Sequence, residues 1–307
     1  MNSLRSSAAS LSLDDQDDVE SLKRENQKLK EKIAQLESTA PPVSLEGGRE
    51  TLEIPFEDIE LDKQIGGGGF SLVYRALYKG TPVAVKRWFN PDLTDAVLQE
   101  FREEVLTLKD MRHPNVVQMI GACMRPPNLC IILEHLPYSL FYVLHESQIE
   151  VDRQRAINLS LDICRSFQYL HSRSPPVVHR DIKPANFLVD RAWKVKLCDF
   201  GLASNSHRQK GAGTPAYMAP ELHAGKAYNE KVDVYAFGIM LNEFISRIVP
   251  WNYTPIADIK EGVMAGERPD IPLSCPRAMK NLIQDCWHQE SSRRPSFAEI
   301  QDRLKQM

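Results

Sequence analysis

Apolar residues recur along this chain with spacings that predict both strands and helices. The run Val83-Ala84-Val85 is apolar and predicts a strand. Segment 128–136 holds the apolar run 129–133, which predicts a buried strand that leads into a connector. Segment 187–197 holds two apolar runs around a polar turn, which is typical of a β-hairpin. Segment 98–108 has the spacing of a helix with one buried face, at positions Leu98, Phe101, Val105 and Leu108.

Nearer the N-terminus the spacing changes to alternating steps of three and four. The positions are Val19, Leu22, Asn26, Leu29, Ile33 and Leu36. This seam predicts a coiled-coil helix over residues 17–38, and the amide of Asn26 at a buried position favours a parallel homodimer. The flanking pairs of that dimer are opposite in charge: Asp18–Lys23, Glu25–Lys30 and Lys32–Glu37. Because isolated helices this short are barely stable, a lone amphipathic helix remains an alternative.

The sequence on either side of this helix predicts no regular structure. Residues 1–16 are interpreted as a disordered tail, and residues 39–56, which contain Pro41-Pro42 and Gly47-Gly48, as a linker. No apolar run approaches the roughly 20 residues that a membrane-spanning helix needs. Residues 1–12 lack the continuous apolar core of a secretory signal. We therefore expect no membrane partner.

Composition narrows the possible classes further. The chain has 307 residues, of which 42% are hydrophobic, so it exceeds one typical domain and can bury a sizeable core. A net charge of −3 without a basic block gives no support for nucleic-acid binding. The six cysteines form no CxxC pair and no zinc spacing, which favours reduced thiols and a cytoplasmic location.

The strongest chemical signal lies around the predicted hairpin. The sequence His179-Arg180-Asp181-Ile182-Lys183-Pro184-Ala185-Asn186 precedes the hairpin, and Asp199-Phe200-Gly201 follows it. This arrangement suits phosphoryl transfer, because Asp181 can accept the proton of a substrate hydroxyl. Asn186 and Asp199 can hold magnesium against a triphosphate. Each motif taken alone is equally compatible with an ordinary surface loop.

Two upstream features suit phosphate binding. Gly66-Gly67-Gly68-Gly69 lies in a turn where backbone N–H groups can approach phosphate oxygens closely. A flexible turn without a ligand would have the same composition. The apolar run at 83–85 ends in Lys86, a cation at the end of a predicted strand.

In this order the motifs resemble those of eukaryotic protein kinases, over roughly residues 57–305. The resemblance implies an α+β, bilobal fold with a small β-rich N-lobe and a larger helical C-lobe. It implies Asp181 as catalytic base with Lys183 nearby, and Mg²⁺ (or Mn²⁺) on Asn186 and Asp199. Lys86 would grip the ATP phosphates and pair with Glu104, although Glu103 is one residue away and only the helix orientation decides between them.

The resemblance also implies the lining of an ATP site. Its members are Ile65, Gly66, Gly67, Gly68, Gly69, Phe70, Ser71, Val73, Ala84, Lys86, Leu133, Glu134, Leu136 and Leu188. Leu133 would be the gatekeeper, and the main chain of Glu134 and Leu136 would bond the adenine edge. Ser71 departs from the family, which has a third glycine there, so we expect altered loop mobility. A buried column is implied at Leu108, Met119, His179 and Phe200.

The C-terminal motifs indicate the group of kinases. Lys183 and Gly213-Thr214 resemble serine/threonine enzymes, whereas Asp233-Val234-Tyr235-Ala236-Phe237-Gly238 and Arg294-Pro295 resemble the tyrosine-kinase-like group of Raf and mixed-lineage type. Dual specificity stays open. By resemblance Thr214 contacts Asp181 and Lys183, Asp233 ties down the catalytic loop, and Arg294 pairs with Glu221.

Regulation and rival functions are also open at this level. Ser204 and Ser206 are candidate phosphosites, because a phosphate there would be near Arg180 and could order the activation segment. They are equally compatible with plain loop serines. The main expectation is an enzyme acting on protein substrates. The alternatives are a pseudokinase or coiled-coil scaffold with little activity, and an adaptor whose kinase domain is secondary.

Overall fold

The structure is a computed structural model that describes residues 24, 27, 28, 52–67, 71–88, 95–203 and 213–307. The predicted tail 1–16 and nearly all of the predicted coiled coil lie outside these residues. Arg24, Gln27 and Lys28 are helical and exposed. These three residues lie outside the predicted seam positions, so their placement does not test dimerisation, which stays a prediction.

The N-lobe is one antiparallel sheet with a helix on one face. The strands are β1 (Ile59–Gly67), β2 (Ser71–Tyr78), β3 (Thr81–Trp88), β4 (Met119–Cys123) and β5 (Cys130–Glu134), in the order β1-β2-β3-β5-β4. Helix α1 (Asp95–Lys109) buries Phe101, Val105 and Leu108, which confirms the predicted helical face. Trp88 packs edge-on against Phe101 with ring centroids 5.1 Å apart. Burial of this apolar stripe holds α1 beside the sheet.

The end of the predicted linker lies against this sheet. Ile54 donates its peptide N–H to Ala122 O at 2.9 Å, and Ala122 donates to Leu52 O at 2.8 Å, so residues 52–54 pair with the edge strand β4. A Cβ atom on Gly121 would lie 2.5 Å from Ile54 Cδ1. The close approach therefore requires glycine, and the covered edge is protected from pairing with another chain.

The C-lobe is built around a helix that is buried on all sides. Its helices are α2 (Arg153–His171), α3 (Pro220–His223), α4 (Lys231–Ser246), α5 (Ile256–Ala265), α6 (Arg277–Cys286) and α7 (Phe297–Lys305). Helix α4 is buried from Val232 to Phe244 without interruption. Such uniform burial identifies it as the central element of the lobe. The side chain of Asp152 caps α2, and Ser296 with Glu299 forms a capping box on α7.

A second, smaller sheet lies where the lobes meet. It contains β6 (Tyr138–Ser139), β7 (Phe187–Val189) and β8 (Val195–Leu197), all antiparallel. The predicted hairpin is confirmed as β7 and β8. Main-chain bonds tie β8 to the segment before β4: Leu197 N–H donates to Asn115 O, and Val117 N–H to Leu197 O, both at 2.9 Å. The hairpin is thus anchored to the N-lobe.

The predicted α+β, bilobal architecture is confirmed, with a β-rich N-lobe and a larger helical C-lobe. Within the described residues, no helix combines the length and apolar character needed to cross a membrane.

Candidate functional site

Lys86 is held by an acid from α1 and an acid from the C-lobe. Its Nζ donates to Glu104 Oε1 and Oε2 at 2.7 and 2.8 Å, and to Asp199 Oδ1 at 2.8 Å. Burial by itself lowers the pKa of Lys86, but the two carboxylates outweigh it and the pKa lies above the ordinary lysine value. The ammonium group is therefore charged at neutral pH.

Of the two candidate acids on α1, Glu104 is the one that contacts Lys86. Its side chain is buried, whereas Glu103 lies on the outer side of the helix and accepts a bond from Gln99 Nε2 at 2.9 Å. Adjacent helical residues point about 100° apart, so burying Phe101 and Val105 turns Glu104 inward. The packing of α1 thus selects the acid.

Asp199 stands at the start of the segment that follows β8. Its backbone is left-handed, with φ of 58°, and its side chain is 48% exposed. Although partial burial favours the neutral form, Lys86 lowers the pKa of Asp199 below its ordinary value. A Cβ atom on Gly201 would sit 3.3–3.4 Å from polar atoms of Asp199, Glu104 and Lys86. Glycine therefore leaves this charged cluster room.

Asp181 lies in a second cluster of polar side chains. Thr214 donates to Asp181 Oδ1 from its peptide N–H at 2.9 Å and from Oγ1 at 2.7 Å. Lys183 Nζ is 2.9 Å from Asp181 Oδ2 and also donates to Thr214 Oγ1 at 2.7 Å. Burial favours the neutral acid, but Lys183 and Thr214 lower the pKa of Asp181 below its ordinary value. Asp181 is a carboxylate at neutral pH.

Asn186 shares the site with Asp181. Its Nδ2 donates to Asp181 O at 2.8 Å and to Asp181 Oδ2 at 3.0 Å. With the amide nitrogen turned to Asp181, the carbonyl oxygen lies on the other side of the amide. An amide oxygen and the carboxylate of Asp199 are hard oxygen donors of the kind that Mg²⁺ prefers. The residues present therefore fit a magnesium ion.

Asp233 on α4 holds the loop that carries Asp181 by accepting hydrogen bonds from its backbone. This fully buried carboxylate accepts from the peptide N–H groups of His179 at 3.0 Å and Arg180 at 2.8 Å. Its Oδ2 is also 2.9 Å from His171 Nε2, at the end of α2. Sequence analysis identified Asp233 but missed His171, because no local spacing connects the end of α2 to α4.

Strand register brings several nucleotide-site candidates onto one face of the N-lobe sheet. Val73 pairs with Lys86 across β2 and β3, and Ala84 pairs with Leu133 across β3 and β5. Paired residues and residues two apart share a face, so these four side chains point the same way. Ile65 is 44% exposed, and Gly66 and Gly67 close β1. Gly68, Gly69 and Phe70 lie outside the described residues, and Ser71 begins β2.

The connection between the lobes involves the side chain of Glu134, which sequence analysis considered only for its main chain. Lys196 Nζ donates to both carboxylate oxygens at 2.6 and 2.7 Å, and Gln118 N–H donates to Oε1 at 2.8 Å. The peptide N–H of Glu134 donates to Gln118 O at 3.0 Å. Of the two main-chain polar groups of Glu134, the carbonyl is therefore the one that could contact adenine. Leu136 is buried, and Leu188 on β7 pairs with Ser139.

Helix α3 and the segment before it are each held by a contact with a distant part of the C-lobe. Arg294 donates to both carboxylate oxygens of Glu221, at 2.6 and 2.9 Å, as the resemblance implied. Tyr217 donates to Glu243 Oε2 at 2.8 Å, and His145 Nε2 is 2.8 Å from Glu243 Oε1. Sequence analysis missed this second group, which joins three distant segments. Ser204 and Ser206 lie outside the described residues.

The four side chains that the resemblance places in a column are all buried, and one contact between two of them is a ring contact. Leu108, Met119, His179 and Phe200 are each at most 3% exposed. The rings of His179 and Phe200 meet edge to face with centroids 5.4 Å apart. This contact joins the loop of Asp181 to the segment of Asp199.

Comparison with known proteins agrees with this geometry. The family model described as protein tyrosine and serine/threonine kinase matches residues 59–304. The chain is 42% identical over 262 residues to the Arabidopsis thaliana probable serine/threonine-protein kinase SIS8. This match covers 83% of this chain and 25% of SIS8. The chain is 40% identical over 263 residues to the Arabidopsis serine/threonine-protein kinase CTR1, covering 83% of this chain and 32% of CTR1.

A relative from another organism gives the same picture. The chain is 39% identical over 252 residues to the Dictyostelium discoideum probable serine/threonine-protein kinase drkD, which covers 81% of this chain and 20% of drkD. The chain spans a third or less of the length of these relatives.

Proposed function

Because the chain belongs to the protein tyrosine and serine/threonine kinase family, we propose that it transfers the γ-phosphoryl group of ATP to serine and threonine hydroxyls of proteins. The observation that carries the proposal is the Asp181 cluster. An ionised carboxylate lies within hydrogen-bond distance of Lys183, Thr214 and Asn186. A base, a cation and an amide side by side suit in-line transfer to a hydroxyl.

Each residue has a distinct role in this proposal. Asp181 orients the substrate hydroxyl and accepts its proton as the oxygen attacks phosphorus. Lys183 stabilises negative charge on the transferring group, because its ammonium lies beside Asp181. Lys86, fixed by Glu104, binds the phosphates of ATP.

Asn186 and Asp199 are the residues that would hold Mg²⁺. A bound magnesium ion neutralises the charge of the phosphate oxygens. Within the protein, Lys86 keeps Asp199 ionised and in position, and Asp181 orients the amide of Asn186. Both acceptor groups are thus prepared by their neighbours.

The proposed preference for serine and threonine rests on the resemblance of Lys183 and Thr214 to residues of serine/threonine enzymes. Both side chains contact the carboxylate of Asp181, and Lys183 is the residue that in the sequence resembled serine/threonine enzymes. The relatives that match this chain are named serine/threonine-protein kinases. A pseudokinase is disfavoured, since Lys86, Glu104, Asp181, Asn186 and Asp199 are all present.

The test is transfer of labelled γ-phosphate from Mg-ATP to a generic protein substrate, with phosphoamino-acid analysis. Asp181→Asn removes the base while keeping the shape, and we expect a loss of about 100-fold or more. Asp302→Asn, on the exposed face of α7, is the matched control and should keep full activity. Phosphotyrosine as the main product would refute the specificity, and equal rates for Asp181→Asn and wild type would refute the mechanism.

Three further features stay predictions. The opposite charges along residues 17–38 support a parallel homodimer that brings two kinase domains together. Ser204 and Ser206 remain candidate phosphosites in the activation segment. Cytoplasmic location rests on the cysteine spacing alone.

A further inference from the structure

The side chain of Arg180, next to the proposed base, connects two segments that are distant in sequence. Its Nε donates to Leu202 O at 2.7 Å, and Nη2 donates to the same oxygen. Its Nη1 donates to the hydroxyl of Tyr228 at 3.1 Å. Leu202 directly follows Gly201, and Tyr228 lies between α3 and α4. One guanidinium therefore links the Asp181 loop to both.

The backbone of Arg180 needs this support. Its φ is 68°, a left-handed conformation that costs a non-glycine residue free energy unless the surroundings hold it. Asp233 holds the peptide N–H at 2.8 Å, and the side-chain contacts hold the other end of the residue. The residue is only 4% exposed, and a buried cation needs hydrogen-bond acceptors around it.

Tyr228 is built to supply one of these acceptors. Its half-buried ring packs against the apolar core of the C-lobe, so the position of the hydroxyl is fixed by packing. Asp233, five residues after Tyr228, accepts from the peptide N–H groups of His179 and Arg180. Segment 228–233 thus contacts the side chain of Arg180 through Tyr228 and its backbone through Asp233.

We propose that Tyr228 is a positioning residue for catalysis: its hydroxyl holds Arg180 so that the Asp181 loop and the Leu202 carbonyl stay aligned. The proposal rests on the proposed kinase function. The Tyr228 hydroxyl is in place before any phosphate is added, so this link gives the unphosphorylated protein a basal alignment of Asp181 with the Asp199 segment. Phosphorylation of the activation segment would act in addition to it.

The first test is Tyr228→Phe, which removes the hydroxyl and keeps the ring. After phosphatase treatment we expect kcat to fall about 3- to 10-fold, the effect of losing one typical hydrogen bond, with little change in KM for ATP or protein substrate. Tyr253→Phe is the matched control, because that side chain is 98% exposed. A wild-type kcat for Tyr228→Phe would overturn the proposal.

A double-mutant cycle shows whether the hydroxyl acts through Arg180. Arg180→Lys keeps the charge but lacks the planar group that reaches both oxygens. If Tyr228 works through Arg180, adding Tyr228→Phe to Arg180→Lys causes almost no further loss of kcat. A full second loss in that background would show that the hydroxyl acts elsewhere.

Amide hydrogen exchange gives a readout that is independent of activity. Tyr228→Phe should speed exchange in peptides covering residues 179–183 and 199–203, while Tyr253→Phe should not. If Tyr228→Phe speeds exchange but the wild type transfers no phosphate, the kinase proposal is refuted and the Tyr228–Arg180 link is supported. If the wild type transfers phosphate but Tyr228→Phe changes neither exchange nor kcat, the kinase proposal is supported and the link is refuted.

Discussion

At the scale of single residues, contacts with opposite charges outweigh burial in setting the pKa values of Asp181, Asp199 and Lys86. Asp181 and Asp199 are shielded from water to different degrees, yet the pKa of each lies below its ordinary value because a lysine contacts it. Lys86 in turn stays charged because it contacts two carboxylates. At neutral pH the proposed base, Asp181, and the proposed metal ligand, Asp199, are therefore both ionised.

The first prediction concerns the two adjacent acids of α1. Glu104→Gln removes the buried charge that fixes Lys86, so we expect kcat/KM for ATP to fall about 10- to 100-fold, or roughly 1.4–2.8 kcal/mol in transition-state binding. Glu103→Gln is the matched control and should stay within about twofold of wild type, since its carboxylate bonds only to Gln99 among the described contacts. Equal losses in the two variants would contradict the assignment.

At the scale of elements, α4 is the central, buried helix of the C-lobe. Gly238 lets α6 approach closely, because a Cβ atom there would lie 2.7 Å from Cys286 Cβ. Two acids of α4 reach out from this buried position. Asp233 holds the loop that carries Asp181, and Glu243 bonds to Tyr217 in the segment before α3 and to His145 in the π-helical turn Tyr142–Glu146. The central helix thus holds both loops of the site.

The second prediction is a pH dependence at this junction. Burial raises the pKa of Glu243 to about 8, although the bond from Tyr217 opposes the shift. Because the folded pKa exceeds the unfolded value, the stabilising effect of the proton is complete below about pH 4.5 and is lost as pH rises towards 8. Glu243→Gln carries no such proton, so its Tm relative to wild type should rise between pH 5 and 8 and level off above. A difference in Tm that is constant across this range would refute the shift.

At the scale of the whole molecule, the two lobes meet through polar contacts around the site. Lys86 of β3 bonds to Asp199, and Glu134 after β5 bonds to Lys196 of β8. The main chain of β8 also bonds to the segment before β4. A nucleotide that contacts both lobes would therefore stabilise the molecule as one unit.

The third prediction follows from that geometry. Mg-ATP at 100 times its Kd should stabilise the folded protein by about 2.7 kcal/mol, measured as a rise in Tm. Lys86→Met should lose most of this rise, whereas Lys79→Met, in the exposed turn after β2, should keep it. Chelation of magnesium should reduce the rise in wild type. A full shift in Lys86→Met would show that Lys86 does not bind the phosphates.

Much of this protein follows from its sequence alone. Local apolar spacing predicted α1 and the β7–β8 hairpin, because each element buries one face and that periodicity is visible in consecutive residues. The order of short motifs predicted the kinase fold, because each motif combines reactive side chains at short range. Asp181, Lys183 and Asn186 are close in sequence, so their meeting in one cluster needed little tertiary information.

Other features were decided only when distant segments packed together. The choice of Glu104 over Glu103 depends on how α1 rotates against the sheet, and residues 52–54, predicted as linker, pair with β4. The contacts of Tyr228 with Arg180 and of Lys196 with Glu134 join residues 48 and 62 positions apart. Local periodicity does not indicate such pairs, since each joins two segments that are far apart in the sequence. Sequence thus determined the elements and the chemistry, and tertiary packing determined which side chains hold that chemistry in place.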